Sequence, residues 1–267
     1  HGRITDAVRR IQRGDILAIK GICGFHLACD ATNTTAVAEL RRRKHRPHKP
    51  LALMARNMAQ LNRYCRASAT EEDALRSPAA PIVVLEAQDR TLLPDAIAPD
   101  QCHWGFMLPY SPLHHLLMQQ LDTPIVLTSG NRSEEPQCID NQDALQRLAD
   151  IADAFVLNDR DICNRIDDSV MRQMGGGMQL LRRARGFAPG HLRLPPGFER
   201  HPELPALGGE LKNTFCLLHE GQAILSQHMG DLEDARTFAD FRHNVGLYQG
   251  LYQHQAEVIV VDAHPEY

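Results

Sequence analysis

Arg41-Arg42-Arg43-Lys44-His45-Arg46-Pro47-His48-Lys49-Pro50 runs directly into Leu51-Ala52-Leu53-Met54, placing a dense set of cations ahead of an apolar, strand-like run. Proline fixes its own φ and pushes the residue before it toward extended backbone. Arg46 and Lys49, each preceding a proline, are therefore expected on a stiff turn, and cations held that way suit a bound phosphate. The same run also fits a charged helix end or a nucleic-acid patch. The whole chain speaks against the last reading. Its net charge is −4 and only 5% of its residues are aromatic, whereas nucleic-acid binders present broad basic surfaces and stacking rings. The basic character is local, which favours a discrete anion site.

Upstream, Ile4, Val8 and Ile11 share one helical face, and Gly14 is expected to end that helix. Ile16-Leu17-Ala18-Ile19 reads as a buried strand delivering Lys20-Gly21-Ile22-Cys23-Gly24-Phe25-His26 at its carboxyl end, where ligands collect in open α/β sheets. Thr34 or Thr35 is expected to cap a helix with Ala36, Val37 and Leu40 on one side. Neither G-x-G-x-x-G nor a Walker A loop occurs.

Downstream, Ile82–Leu85 and Trp104–Leu108 read as strands, and Ser111-Pro112 as a helix start that carries His114 and His115. Adjacent histidines diverge by about 100° on a helix, which makes joint metal ligation difficult. Pro124-Ile125-Val126-Leu127 is expected as a buried strand ending in Thr128-Ser129-Gly130-Asn131. Hydroxyls and an amide around a glycine offer donors to a phosphate, although Ser-Gly-Asn turns are common. Asp140 is expected to cap a helix, and Asp159, Asp161, Asp167 and Asp168 to form a solvated acidic stretch able to meet magnesium through phosphates. Gly175-Gly176-Gly177 marks a hairpin, and Arg182-Arg183-Ala184-Arg185-Gly186 is a second basic cluster.

Residues 189–206 are proline-rich and read as a linker between a domain at 1–188 and a shorter unit at 207–267. That unit is expected to hold a glycine-led polar loop with Lys212 and Asn213, then a hairpin turning at Glu220-Gly221. A helix from about Asp234 and a buried strand over Val258–Asp262 complete it. With 267 residues, 43% hydrophobic and 23% charged, the composition is that of a soluble globular protein. Residues 1–20 lack signal-peptide character and no apolar run matches a bilayer. Seven scattered cysteines without a C-x-x-C pair point to reduced thiols and a cytoplasmic location.

Lys44-x-Arg46 with Lys49-Pro50-Leu51, then Thr128-Ser129-Gly130-Asn131, then the late arginine–glycine element resemble, in order, the YrdC/Sua5 family of ATP-using carbamoyl-adenylate formers. Lys20 to Ala31 and Ala206 to Phe215 narrow the resemblance to the HypF family of carbamoyltransferases, which serve nickel–iron hydrogenase maturation. The resemblance covers essentially the whole chain. It implies an α/β fold: a YrdC-like twisted, open mixed sheet with helices, followed by a partial actin-like (ASKHA, Kae1-like) lobe. The acylphosphatase-like domain and C-x-x-C zinc fingers of that family are not in this sequence. Its histidine-rich metal motif falls downstream of residue 267, so an internal fragment is expected. Cys23 stands where the family pattern has glycine.

The resemblance further implies ATP and magnesium as cofactors, with carbamate from carbamoyl phosphate attacking the α-phosphate. The partner protein HypE would receive the carbamoyl group on its C-terminal cysteine. Lys44 and Arg46 are the expected catalytic cations. Lys20, His26, Lys49, Thr128, Ser129, Asn131, Ser169, Arg183, Arg185, Lys212 and Asn213 are the expected nucleotide or carbamoyl contacts, with no protein-only metal site. Two rivals are threonylcarbamoyl-adenylate synthesis for tRNA modification and an RNA-binding module. The first is disfavoured because its threonine-rich, tyrosine–glycine first loop is replaced by Lys20–His26.

Overall fold

The computed structural model describes residues 2–133, 135–198 and 201–264. Helix α1 (Gly2–Gln12) buries Val8 and Ile11 of the expected stripe together with Ala7, with Ile4 partly buried beside them, and the chain turns away at Gly14 with φ +97°. Strands β1 (Leu17–Lys20) and β2 (Phe25–Asp30) form an antiparallel pair in which Lys20 faces Phe25 and Ile19 faces His26. The sequence pattern does not announce β2, because five of its six residues are buried and no polar alternation survives. Helix α2 (Thr34–Lys44) is capped by Asn33, whose Oδ1 accepts from Ala36 N at 3.0 Å, and not by either threonine.

Short elements follow: β3 (Leu53–Met54), α3 (Met58–Leu61), β4 (Cys65–Arg66), and α4 (Ala69–Arg76) with a Ser68–Glu71 capping box. Next come β5 (Ile82–Ala87), β6 (His103–Met107), α5 (Pro112–Met118) capped by Ser111, and β7 (Ile125–Ser129). Then α6 (Asn141–Arg147), capped by Asp140, leads to β8 (Ala154–Val156), β9 (Val170–Met174) and β10 (Gly177–Arg182).

Among the described residues these strands make one sheet in the order β10-β9-β5-β6-β3-β7-β2-β1-β8, with β4 beside β5. The sheet is mixed: β1 pairs parallel with β8, and β3 with β6, while β2–β7 and β3–β7 are antiparallel. Alternate residues feed two cores. Ala18, Leu27, Val126 and Phe106 join Val37 and Leu40 of α2 on one face. Leu17, Ile19, Leu127 and Met107 join Val8 of α1 and Leu117 of α5 on the other. With both faces covered, the central strands are pinned in register, since a one-residue slip would exchange the two cores.

The chain divides into two compact units, residues 1–133 with 137–181, and 134–136 with 182–267. In the second, β11 (His191–Arg193), β12 (Leu204–Leu207), β13 (Phe215–His219) and β14 (Gln222–Leu225) form a sheet ordered β11-β14-β13-β12. Helix α7 (Ala235–Leu251), capped by Asp234, packs Phe241 and Tyr248 onto Phe215, Leu217 and Ile224. The proline-rich stretch, expected as a linker, therefore supplies two strands. Proline is tolerated at Pro205 because the backbone N–H it lacks is not needed at every edge position. Val258–Val261, expected as a buried strand, is 45–62% exposed; Val260 N donates to Pro205 O at 2.9 Å and its carbonyl accepts from Leu207 N at 2.8 Å. Among the described residues no helix is long and apolar enough to cross a membrane.

Because Asn33 satisfies an orphan N–H at the start of α2, Asn33→Ala is expected to lower the unfolding free energy by about 1 kcal/mol. Urea denaturation of both proteins measures the difference.

Candidate functional site

Lys44 is the last residue of α2, and only 1% of it is exposed. Its ammonium donates to Ser129 O, Asn131 O and Asn131 Oδ1, each at 2.6 Å. Three donors meet three oxygens, so the lysine is fully engaged with the corner that follows β7. Ser129 Oγ donates to the same Asn131 Oδ1 at 2.6 Å. Gly130 lets the corner lie on β2: its N–H donates to Phe25 O at 2.6 Å, and a Cβ there would sit 2.7 Å from that oxygen. Any side chain at 130 would push the corner off the sheet.

The basic turn meets the corner a second time. Arg46 Nη1 donates to Thr128 Oγ1 at 3.4 Å, while Nη2 and Nε hold Pro50 O at 2.6 Å and Lys49 O at 3.2 Å. The turn is anchored from behind by Arg41, which is buried and has no acidic partner among its hydrogen bonds. Its guanidinium donates to Arg46 O at 2.6 Å, to Pro47 O and Ile97 O at 3.2 Å each, and to Ala96 O. Ser133 adds a clamp, with Oγ 2.7 Å from Lys44 O and 2.9 Å from His45 O, two carbonyls left over at the helix end. His45 itself turns the chain with φ +52°.

The structure thus brings together Lys44, Arg46, Thr128, Ser129 and Asn131. Lys49 is exposed on the same turn. His26 stands directly opposite Ser129 across β2 and β7, on the same face of the sheet. Lys20 is buried on the other face, with Nζ 3.3 Å from Asn158 O. Ser169 is buried where β9 begins, and its carbonyl accepts from Ile82 N at 2.8 Å.

Arg42 and Arg43 take no part in the corner. Both bind Glu39 at 2.7 Å, which holds that carboxyl down at about 2, and Arg43 also reaches Asp153 at 2.7 Å. Arg183, Arg185, Lys212 and Asn213 lie in the second unit. Arg183 donates to Phe187 O at 2.9 Å and to Gly190 O at 2.5 Å. Asn213 Nδ2 donates to Gly208 O at 2.9 Å and Gly209 O at 2.8 Å, fixing the glycine-led loop, and Lys212 has φ +53°.

Sequence reasoning passed over Ser133 and read Arg41 only as one cation of the run. No local pattern distinguishes an arginine aimed at carbonyls from one aimed at solvent. The acidic stretch brings no three carboxylates to one point. Asp168 Oδ2 instead lies 3.6 Å from His26 Nε2. Among the described residues the one such grouping is Glu210, Asp231 and Glu233 in the second unit, partly to fully exposed.

Burial pushes the Lys44 ammonium down to about 7, helped by the nearby positive charges of Arg46 and Lys49 and opposed by Asp167. Carbonyl and amide oxygens on three sides favour the charged form. Near neutrality this lysine is therefore poised between its two protonation states.

The family model for Sua5/YciO/YrdC, described as telomere recombination, matches residues 9–184, and the model for the HypF Kae1-like domain matches 199–267. The carbamoyltransferase HypF of Rhodobacter capsulatus is 48% identical over 98% of this chain and 35% of its own length. That of Synechocystis sp. is 46% identical over 98% and 34%. The crystal structure of full-length HypF in its phosphate- and nucleotide-bound form superposes with a TM-score of 0.93 at 44% identity, over 99% of this chain and 41% of that one. The chain spans about a third of the length of the curated relatives it matches.

The poised lysine sets a pH dependence. Between a folded value of about 7 and its ordinary value of 10.5 the unfolded chain holds a proton that the folded chain lacks, so stability from this group rises as pH rises through that window. Lys44→Met removes the group. Urea denaturation from pH 7 to 10 is expected to show the wild type gaining stability relative to the variant; parallel profiles would sink the assignment.

Proposed function

We propose that the first unit of this chain, a member of the Sua5/YciO/YrdC family that is 48% identical to a HypF carbamoyltransferase over 35% of that protein's length, binds ATP and forms carbamoyl adenylate. The observation that carries this reading is the Lys44 ammonium on Ser129 O and Asn131 O, with Arg46 on Thr128 Oγ1. Two polar segments more than eighty residues apart are joined into one cationic, hydroxyl-rich corner.

A carbamate oxygen bonds to the α-phosphorus, the α–β phosphoanhydride bond breaks, and pyrophosphate leaves with the electron pair. No proton moves in that step. Such a transfer depends on positioning and charge neutralisation more than on covalent catalysis. Arg46 and Lys49 neutralise the phosphates, and Thr128, Ser129 and Asn131 orient them by hydrogen bonds. Lys44, already ringed by three oxygens, keeps the corner in shape and supplies charge from beneath it. Magnesium would arrive on the triphosphate, with the acidic stretch Asp159, Asp161, Asp167 and Asp168 as the source of any carboxylate that meets it, and would neutralise the leaving pyrophosphate. Lys20 and Ser169 are further contacts in this reading, whereas Arg183 and Arg185, like Lys212 and Asn213, belong to the second unit.

In the whole protein the carbamate would come from carbamoyl phosphate, and the Kae1-like part would pass the carbamoyl group to the C-terminal cysteine of HypE. In this reading the reaction takes place in the cytoplasm. The first unit is then the YrdC-like domain and the second is the Kae1-like portion, with β11 and β12 of the proline-rich stretch belonging to the latter's sheet.

Arg46→Ala and Ser129→Ala are each expected to weaken ATP binding by about 1.5–3 kcal/mol, the loss of a charged hydrogen bond, or roughly ten- to a hundredfold in Kd. Calorimetric titration with ATP and magnesium reads this directly, and unchanged affinity in both variants rules out the corner as the phosphate site.

A further inference from the structure

His26, expected among the nucleotide or carbamoyl contacts, is 5% exposed and is given no specific role by the adenylate step described above. Its Nε2 is held from two sides, 3.6 Å from Asp168 Oδ2 and 3.4 Å from the Tyr110 hydroxyl. Tyr110 is set in turn by an edge-on contact with His114, ring centroids 4.5 Å apart, and His114 lies 6.1 Å from the His26 ring. In the tautomer that carries its proton on Nε2, facing the Asp168 carboxylate and with the Tyr110 hydroxyl oxygen able to accept, Nδ1 keeps a lone pair.

That Nδ1 has no hydrogen-bond partner, although it is enclosed by protein. An unmatched buried acceptor costs stability and is the feature a binding site uses for recognition. What covers it is the four-residue turn Gly21–Gly24, closed by Gly21 N donating to Gly24 O at 2.9 Å. Gly21 lies so close to the imidazole that a Cβ there would be 2.9 Å from Nδ1. The strand register sets His26 beside Ser129, whose hydroxyl is part of the corner.

We propose that His26 Nδ1 is the acceptor for the amino group of the carbamate, exposed when the Gly21–Gly24 turn yields, and so sets the second substrate's identity. This rests on the adenylate reading above. Asp168 and Tyr110 are positioning residues that fix the ring. The imidazole reads the N–H of the small acid while the acid's carboxylate oxygen faces the α-phosphate. An acid of the same size without an N–H, such as acetate, leaves Nδ1 unmatched and is rejected.

Three variants separate this role from a structural one. Asn places its amide oxygen near the position of Nδ1, Gln places its amide near Nε2, and Ala removes both. ATP binding is measured by calorimetry on this chain, and pyrophosphate release is followed with ATP, magnesium and ammonium carbamate, with thermal unfolding as the check on folding. His26→Gln and His26→Ala are expected to raise KM for carbamate roughly tenfold or more, the scale of one hydrogen bond. KM for ATP should move less, and His26→Asn should recover much of the loss. Gln performing as well as Asn, equal shifts in both KM values, or unaltered carbamate dependence in all three would overturn the proposal while leaving the nucleotide site standing. Wild-type chain that binds ATP but releases no pyrophosphate with carbamate removes the adenylate step and this inference together. Wild-type chain that does not bind ATP removes the nucleotide site as well.

Discussion

A buried ammonium with all three of its donors committed holds this site together. Lys44 lies at the end of one helix, and the oxygens it binds lie at the end of a strand more than eighty residues later. Removing a lysine from water costs several kcal/mol unless each donor finds an acceptor. Here the acceptors are two backbone carbonyls and one amide oxygen, none of which ionises. These oxygens offset part of the cost of burial without cancelling the charge, so the protonated lysine places positive potential under the corner. This also explains the shape of the neighbourhood. Gly130 must be bare so that the corner can rest on β2, and Ser133 closes the far end of α2.

Much of this fold can be read in the residues. The α1 stripe, the Ser111-Pro112 and Asp140 helix starts and the Glu220-Gly221 hairpin carry local chemistry that acts within a few residues. The failures are non-local. Strand β2 is buried on both faces, so Phe25–Asp30 shows no alternation, and its pairing partners lie on either side of it in the sheet and not in the pattern. Val258–Val261 is apolar enough to be read as interior, yet it is largely exposed and, among the described residues, meets β12 through the single Val260 bridge. The proline-rich stretch looks like a spacer because proline weakens any strand signal, even where neighbouring backbone groups still form a ladder.

The site divides along the same line. Which residue types gather was legible, since Lys-x-Arg and Ser-x-Asn each carry recognisable chemistry. What each cation does was not. Arg41, Arg42, Arg43 and Lys44 are four consecutive basic side chains with separate fates: one aimed at carbonyls, two paired with Glu39, and one sealed under the corner. Successive helical residues point about 100° apart, so the run spreads over several partners, with only Arg42 and Arg43 converging, on Glu39. The outcome depended on what the rest of the fold placed around the helix end.

The way Arg41 anchors the turn separates shape from charge. Its four acceptors are main-chain carbonyls at Arg46, Pro47, Ala96 and Ile97, and every amino acid supplies that group. The grip of Arg41 on the loop is thus indifferent to which side chains those four residues carry. A mount of this kind allows the pattern of cations facing an anion to be rewritten, by drift or by an engineer, while the backbone that presents them stays where it is.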